Sequence, residues 1–259
     1  MSKLAEPLSC RCVTQRVLVI GATSAVAQAF VRRRCKEGAR LYLIARNPDK
    51  LRGLSDQLGD AVVGSESGDL AQGEANAARI ERAVDVLGGL DEVLIAHGYL
   101  GDQLESERDF EQAQRTLNTN LLSPVSLLIP IANHCEAQGA GHIGVITSVA
   151  GERGRPRNFT YGTAKGGLTR YLEGLRSRLW GSGVEVHNFK LGPVDSPMTV
   201  DHEKNATFTT PERAAELIAR GMRGRRHEIF VPGYWRWIML VVRTMPEPIF
   251  QRLRFLSGR

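Results

Sequence analysis

Cysteine is scarce in this sequence: Cys10, Cys12, Cys35 and Cys135 are the only four among 259 residues. Thiols so few and so scattered exclude a disulfide scaffold. The Cys10-x-Cys12 pair has no second pair and no histidine at ligand spacing, so no metal site is expected. The thiols are read as reduced and the chain as cytoplasmic. A secretory signal is also missing, because residues 1–15 have no apolar core and carry Glu6 and Pro7. No repeat, linker or composition break appears before about residue 232. With 42% apolar and 24% charged residues, the composition excludes whole-chain disorder, collagen-like repeats and coiled coil. The length suits one α/β domain.

Acidic residues run short only at the end. From Arg220 onward nine arginines face two glutamates, leaving 25 basic against 26 acidic residues in the first 219. The net charge of +6 therefore belongs to the last forty residues. A protein-wide nucleic-acid surface is not expected.

What is present is alternation. Apolar runs at 16–20, 41–45, 61–64, 92–96, 142–146, 184–191 and 227–231 predict seven strands. Between them, 26–37, 48–58, 74–87, 110–135, 159–180 and 211–223 predict helices. The long 110–135 helix carries Pro124 and Pro130, and a kink is expected in it. Strict β–α alternation with near-continuous apolar strands predicts a single Rossmann-like α/β domain. Its doubly wound parallel sheet would be covered on both faces and bind ligands at the carboxyl ends of the strands. The domain is expected over 14–232, between a flexible segment 1–13 and an amphipathic extension 233–259.

The first strand runs into Gly21-Ala22-Thr23-Ser24-Ala25-Val26-Ala27. Small residues there let backbone N–H groups and a helix N-terminus approach a pyrophosphate. Of the three glycines usual in such a turn only Gly21 remains, with Ala25 and Ala27 at the other two places. Asp69, after the third strand, is placed to accept a hydrogen bond from an adenine amino group; the alternative is an ordinary turn aspartate. The second strand ends in Ala45-Arg46, where an acidic residue would hold the ribose hydroxyls of NAD. Arg46 instead offers a planar fork to a phosphate, so NADP(H), as NADPH over NADH, is the expected cofactor.

Tyr161 and Lys165, four apart, share one helix face, and Ser148 ends the fifth strand upstream. A free phenol is a poor acid–base catalyst at neutral pH. An adjacent ammonium and the positive ring of an oxidised nicotinamide are expected to lower its pKa. Ser148 would hold a substrate carbonyl oxygen while Tyr161 gives or takes its proton.

With these residues the sequence resembles the short-chain dehydrogenase/reductase family over roughly residues 14–232. The matching pieces are Gly21 with its loop, Asp69-Leu70, Thr119-Asn120-Leu121, residues 146–151, residues 161–165 and residues 192–198. The resemblance implies that Asn120 completes a catalytic tetrad with Ser148, Tyr161 and Lys165, kinking its helix to hold a water relayed through Lys165. It implies Lys165 on the nicotinamide ribose, Gly192 and Val194 beside the nicotinamide, and Ser196 near the carboxamide. The cofactor contacts so expected are Gly21, Thr23, Ser24, Ala25, Val26, Arg46, Asp69, Leu70, Gly98, Tyr161, Lys165, Gly192, Val194 and Ser196. Two departures stand out. Ile95-Ala96-His97-Gly98 replaces the usual Asn-Asn-Ala-Gly, and Leu191 replaces a proline. His97 is expected to be a packed loop residue rather than a catalyst.

Residues 150–155, 158–161 and the tail residues Arg236 to Met239, Arg243, Pro246, Ile249 and Phe250 are similar to one bacterial branch of the family. That branch includes the reductase subunit of decaprenylphosphoryl-ribose 2-epimerase. The likeness implies cell-envelope biosynthesis and a 2-keto furanose on a polyprenyl phosphate, made by a flavin-dependent oxidase partner. The alternatives are a soluble or acyl-carrier-bound ketone, and a dinucleotide-sensing protein without turnover. Arg153, Arg155 and Arg157 are expected at the active-site mouth, attracting a phosphate-bearing substrate or forming a solvated basic loop. Residues 195–210 read as a mobile lid.

The apolar run 234–242 is too short to span a bilayer, which needs about 20 residues. Two amphipathic segments with tryptophans and arginines read as a monotopic anchor at the inner face of a membrane. The alternative is burial against a neighbouring subunit of a homo-oligomer. Truncation after Val231 or Pro232 is expected to leave the fold intact.

Overall fold

A computed structural model describes residues 14–200 and 204–253. The expected N-terminal segment with Cys10 and Cys12, the lid residues 201–203, and Arg254 and Leu256 of the tail lie outside the described residues.

The elements in chain order are β1 (Arg16–Ile20), α1 (Ala25–Lys36), β2 (Arg40–Ala45), α2 (Pro48–Leu58), β3 (Val62–Ser67), α3 (Asn76–Leu87) and β4 (Glu92–Ile95). They continue with α4 (Gln103–Ser106), α5 (Phe110–Leu117), α6 (Ser123–Gln138), β5 (Gly141–Ser148), α7 (Phe159–Arg178) and β6 (Val184–Leu191). The last are α8 (Pro211–Met222), β7 (Glu228–Val231), α9 (Trp235–Thr244) and α10 (Glu247–Arg252). The seven strands form one sheet in the order β3-β2-β1-β4-β5-β6-β7, parallel throughout. It is the doubly wound sheet that the apolar runs predict.

Alternation within β1 builds both cores at once. Val17 and Val19 join Phe30 of α1, Leu51 of α2 and Ile218 of α8 on one face. Leu18 and Ile20 join Ile80 of α3, Leu127 of α6 and Leu168 of α7 on the other. Winding reverses between β1 and β4, so the loops after these strands diverge and leave a crevice at their carboxyl ends.

Three elements differ from the sequence expectation, each for a physical reason. The third strand runs to Ser67 because it lies at the sheet edge, where Ser65 and Ser67 face solvent without cost. The fifth runs past the apolar stretch 142–146 to Ser148, the residue expected at its end, because its polar end is satisfied across the sheet, Thr147 Oγ1 donating to Asn188 Oδ1 at 2.5 Å. The long helix is interrupted by a π turn at Asn118–Leu122 rather than at a proline. Pro124 sits in the first turn of α6, where its missing N–H is harmless.

The tail differs most. Helices α9 and α10 fold back on the turn after β5, where Trp235, Met239, Val242 and Phe250 bury against Val149. Arg153 donates to the carbonyls of Val242 and Met245 at 2.6 Å each. It also pairs with Glu247 and lies 3.9 Å from the Phe250 ring centre. Arg243 pairs with Glu152 at 3.0 Å. The tail is therefore a packed part of the body, and truncation after Val231 would strip a core cluster rather than a free appendage. No helix among the described residues is long and apolar enough to cross a membrane.

Candidate active site

The carboxyl ends of the central strands open on a cleft of about 1250 Å³. Apart from Asn120, every expected site residue lines it. Gly21 closes β1 at φ +79°, and a Cβ there would stand 2.5 Å from the His97 backbone nitrogen. No other residue fits that close approach. Ser24 then caps α1, its hydroxyl accepting the Ala27 N–H at 3.3 Å. Ala25 and Val26 of the first turn of α1 line the cleft, and that turn carries no acidic residue to offset the positive polarity of its N–H groups. Ala27, at the third glycine position, is fully buried.

At the end of β2, Arg46 is exposed beside Asn47 and Lys50 on the cleft wall. Leu70 is buried. One carboxylate oxygen of Asp69 accepts the Ala71 N–H at 3.1 Å, the turn contact anticipated as its alternative role.

Ser148 ends β5 with its hydroxyl accepting the Ala150 N–H (3.1 Å) and donating to the Leu191 carbonyl (3.4 Å). Tyr161 lies in the first turn of α7. One turn later Lys165 donates to the Ile146 carbonyl at 3.2 Å, its ammonium 5.8 Å from the Tyr161 ring centre. Asn120 sits fully buried in the π turn, just outside the cleft lining. Its amide donates to the carbonyls of Tyr99 (2.6 Å) and Thr116 (2.9 Å) and accepts the Tyr99 N–H (3.1 Å). A Cβ on Gly98 would stand 3.1 Å from Asn120 Oδ1 and 3.6 Å from Lys165 Nζ, so that glycine lets Asn120 and Lys165 close on the same spot.

Burial governs the electrostatics. It pushes the Tyr161 phenol up to about 12, against the opposing hydrogen bond from Ser148. It pulls the Lys165 ammonium down to about 8. Without a nicotinamide ring beside it, the phenol is raised, because desolvation outweighs the hydrogen bond from Ser148. What the protein's own groups secure is a protonated phenol.

His97 is packed, its Nε2 2.9 Å from Ser123 Oγ. Burial first, and Lys165 second, take its pKa down to about 3, so it is neutral. Its Nδ1 is buried without a partner, as is the indole nitrogen of Trp235. Both residues line the cleft.

Sequence reasoning missed the outer wall. Trp235, Ile238, Met239 and Val242 of α9 all face the cleft. The indole lies over Gly192, where a Cβ would stand 2.0 Å from Nε1. Spacing of three, one and three along a helix was the available signal. Val194 bridges to Thr209, and Ser196 caps the short turn Pro197–Thr199. The expected lid is tied down at Lys204–Asp195 (2.7 Å) and by Tyr234 Oη donating to the Thr207 carbonyl (2.9 Å). Arg155 and Arg157 reach the cleft, whereas Arg153 is consumed by the tail.

The cleft suits a dinucleotide. It offers a glycine turn at a helix N-terminus, a cation at the end of β2 and orphaned polar atoms in its depth. Together with a phenol, an ammonium and a hydroxyl, this fold defines an α/β oxidoreductase. Residues 15–207 match the short chain dehydrogenase family, and the chain belongs to it. An uncharacterised oxidoreductase of Streptomyces coelicolor is 35% identical over 92% of this chain and 95% of its own. Among solved structures, a short-chain dehydrogenase of Burkholderia cenocepacia in complex with NADP superposes with a TM-score of 0.79 at 19% identity, covering 93% of this chain and 98% of its own. An actinorhodin polyketide ketoreductase variant with NADPH gives 0.75 at 22% identity, covering 85% and 97%.

Proposed function

We propose that this chain is an NADPH-dependent carbonyl reductase whose substrate is a ketone on a lipid carrier, specifically a keto sugar on a lipid phosphate. The single observation that carries the reading is a partly buried Tyr161, its phenol pushed up to about 12, beside Ser148 and Lys165 in a cleft whose outer wall is the apolar face of α9. NADPH, when bound, supplies the hydride. Arg46 would hold its 2′-phosphate, and Gly21, Thr23, Ser24, Ala25 and Val26 its pyrophosphate. Asp69, Leu70, Gly98, Gly192, Val194 and Ser196 would line the remainder.

Ser148 holds the carbonyl oxygen through its hydroxyl and aligns it on the phenol. Tyr161 gives that oxygen its proton, and Lys165, still an ammonium below about pH 8, stabilises the phenolate left behind. Asn120 fixes the Tyr99 backbone and the π turn beside Lys165. Trp235, Ile238, Met239 and Val242 give a lipid chain apolar contact that a small soluble ketone would not use. The exposed side of α9 would rest on an anionic membrane surface, and a flavin-dependent oxidase would supply the ketone.

The test is NADPH oxidation with a polyprenyl-phosphate keto sugar made in situ by such an oxidase, alongside soluble and acyl-carrier-bound ketones. Selective turnover of the lipid-linked ketone is expected. Equal or better turnover of a soluble or carrier-bound ketone overturns the substrate reading, and no turnover of any ketone overturns the reductase reading.

A further inference from the structure

Two arginines in the cleft have no counter-charge among the described residues. Arg155 and Arg157 lie between the turn after β5 and α7, on the cleft wall with Asn158 and Tyr161. Arg157 is exposed, while Arg155 is partly buried. Neither guanidinium has a salt bridge or hydrogen bond among the described residues, whereas nearby Arg153 uses both guanidinium Nη groups on the tail. Burial pulls the pKa of Arg155 down, and the like charge of Arg157 pulls it further.

Such a pair is costly to maintain. A guanidinium withdrawn from water without an anion forfeits its hydration, and a second cation beside it adds repulsion. An anion bridging the two removes both penalties. That anion is not the one expected at Arg46. Arg46 ends β2, whereas the arginine pair follows β5, and β1 and β4 lie between those strands. Three strand spacings of about 4.8 Å put the ends of β2 and β5, from which the two loops depart, roughly 14 Å apart. The cleft therefore has two cationic ends, with Ser148 and Tyr161 at the same end as the pair.

Resting on the reductase reading above, the geometry points to Arg155 and Arg157 as the subsite for a phosphate ester carried by the substrate, between its ketone and an apolar chain. Phosphate presents enough oxygens to meet two forked guanidinium groups at once, which a single carboxylate meets less well. The apolar chain follows from the α9 wall of the same cleft, where Ile238, Met239 and Val242 offer no side-chain polar partner.

The subsite is tested by calorimetry on the enzyme with saturating NADPH, using octyl phosphate, octanoate and octanol as probes. The wild type is expected to bind octyl phosphate tightest. Arg155→Gln combined with Arg157→Gln is expected to weaken octyl phosphate about 10- to 100-fold and to leave octanol unchanged. Arg157→Gln alone, at an exposed position, is expected to give an intermediate loss, and unaltered NADPH affinity reports an intact fold in both variants. Equal binding of octyl phosphate and octanol by the wild type, or octyl phosphate affinity indifferent to the substitutions, overturns the subsite. Octanoate binding as tightly as octyl phosphate overturns its assignment to phosphate. No turnover enters this measurement, so its outcome is independent of whether any ketone is reduced.

Discussion

At the scale of single residues, the site is built from opposing pKa shifts that suit one direction of chemistry. A phenol held near 12 is a proton donor at every physiological pH, and a lysine near 8 changes state just above neutrality. Lys165 is depressed from 10.5, so its charge is lost as pH rises through about 8 and is fully present below it. Reduction should therefore be level at lower pH and fall about tenfold per pH unit above 8, as kcat/KM profiles will show. Tyr161→Phe removes the proton donor and no phosphate contact. It should cost about 10²- to 10⁴-fold in kcat with NADPH affinity nearly intact, and a variant keeping a tenth of the rate would refute the role. At the other end of the cleft, Arg46→Asp replaces a fork for phosphate with a repelling carboxylate. Comparison of kcat/KM for both cofactors should show the NADPH/NADH ratio falling at least about tenfold. An unchanged ratio would place the phosphate elsewhere.

At the scale of elements, the sheet was legible because the central strands β1, β2 and β4 are near-continuous apolar runs, whereas β6 buries His187, Asn188 and Lys190 among its apolar residues. The lapses lie where burial stops being the cause. Ser65 and Ser67 extend an edge strand that needs no apolar face, and Thr147 extends β5 through a cross-strand hydrogen bond. The π turn at Asn118–Leu122 leaves no mark on periodicity because its residues also suit an ordinary helix, and only the family resemblance at Asn120 implied a kink there. The tie between α1 and β4 is silent in sequence: Arg34, fully buried, makes two 2.7 Å bonds to the Glu92 carboxylate across 58 residues. Removing Glu92 leaves the buried Arg34 fork with Glu37 alone, 2.6 Å from one Nη, and takes away the two bonds that satisfy its Nε and its other Nη. Glu92→Ala should cost about 3–5 kcal/mol of stability in urea denaturation. A loss below about 1 kcal/mol would mean that water reaches Arg34 after all.

At the scale of the whole molecule, the tail decides what the cleft faces. The composition of 233–259 revealed an amphipathic extension, but not that Arg153 and Glu152 clamp it to the body. Those partners are some ninety residues away and resemble a solvated basic loop in sequence. Once clamped, α9 has two apolar faces. Trp235, Met239 and Val242 point inward, while Trp237 is 65% exposed, Val241 59% and Leu240 45%. Arg236 lies 5.8 Å from the Trp237 ring centre on the outer side. Five arginines against one glutamate in residues 233–259 favour anionic headgroups over a dry subunit interface. Truncation would remove the inner wall together with the outer face, so it cannot separate the two roles. Trp237→Ser with Val241→Ser can, because both side chains point outward and the packing on Val149 stays whole. Full-length protein should co-sediment with phosphatidylglycerol vesicles at low salt and less so at high salt. The double variant should lose that binding by about tenfold or more, since each buried apolar side chain contributes roughly 1.5–3 kcal/mol, with its melting temperature unchanged. If the wild type ignores vesicles and the variant instead dissociates into monomers, the outer face of α9 is a subunit interface and the substrate reaches the cleft from solution.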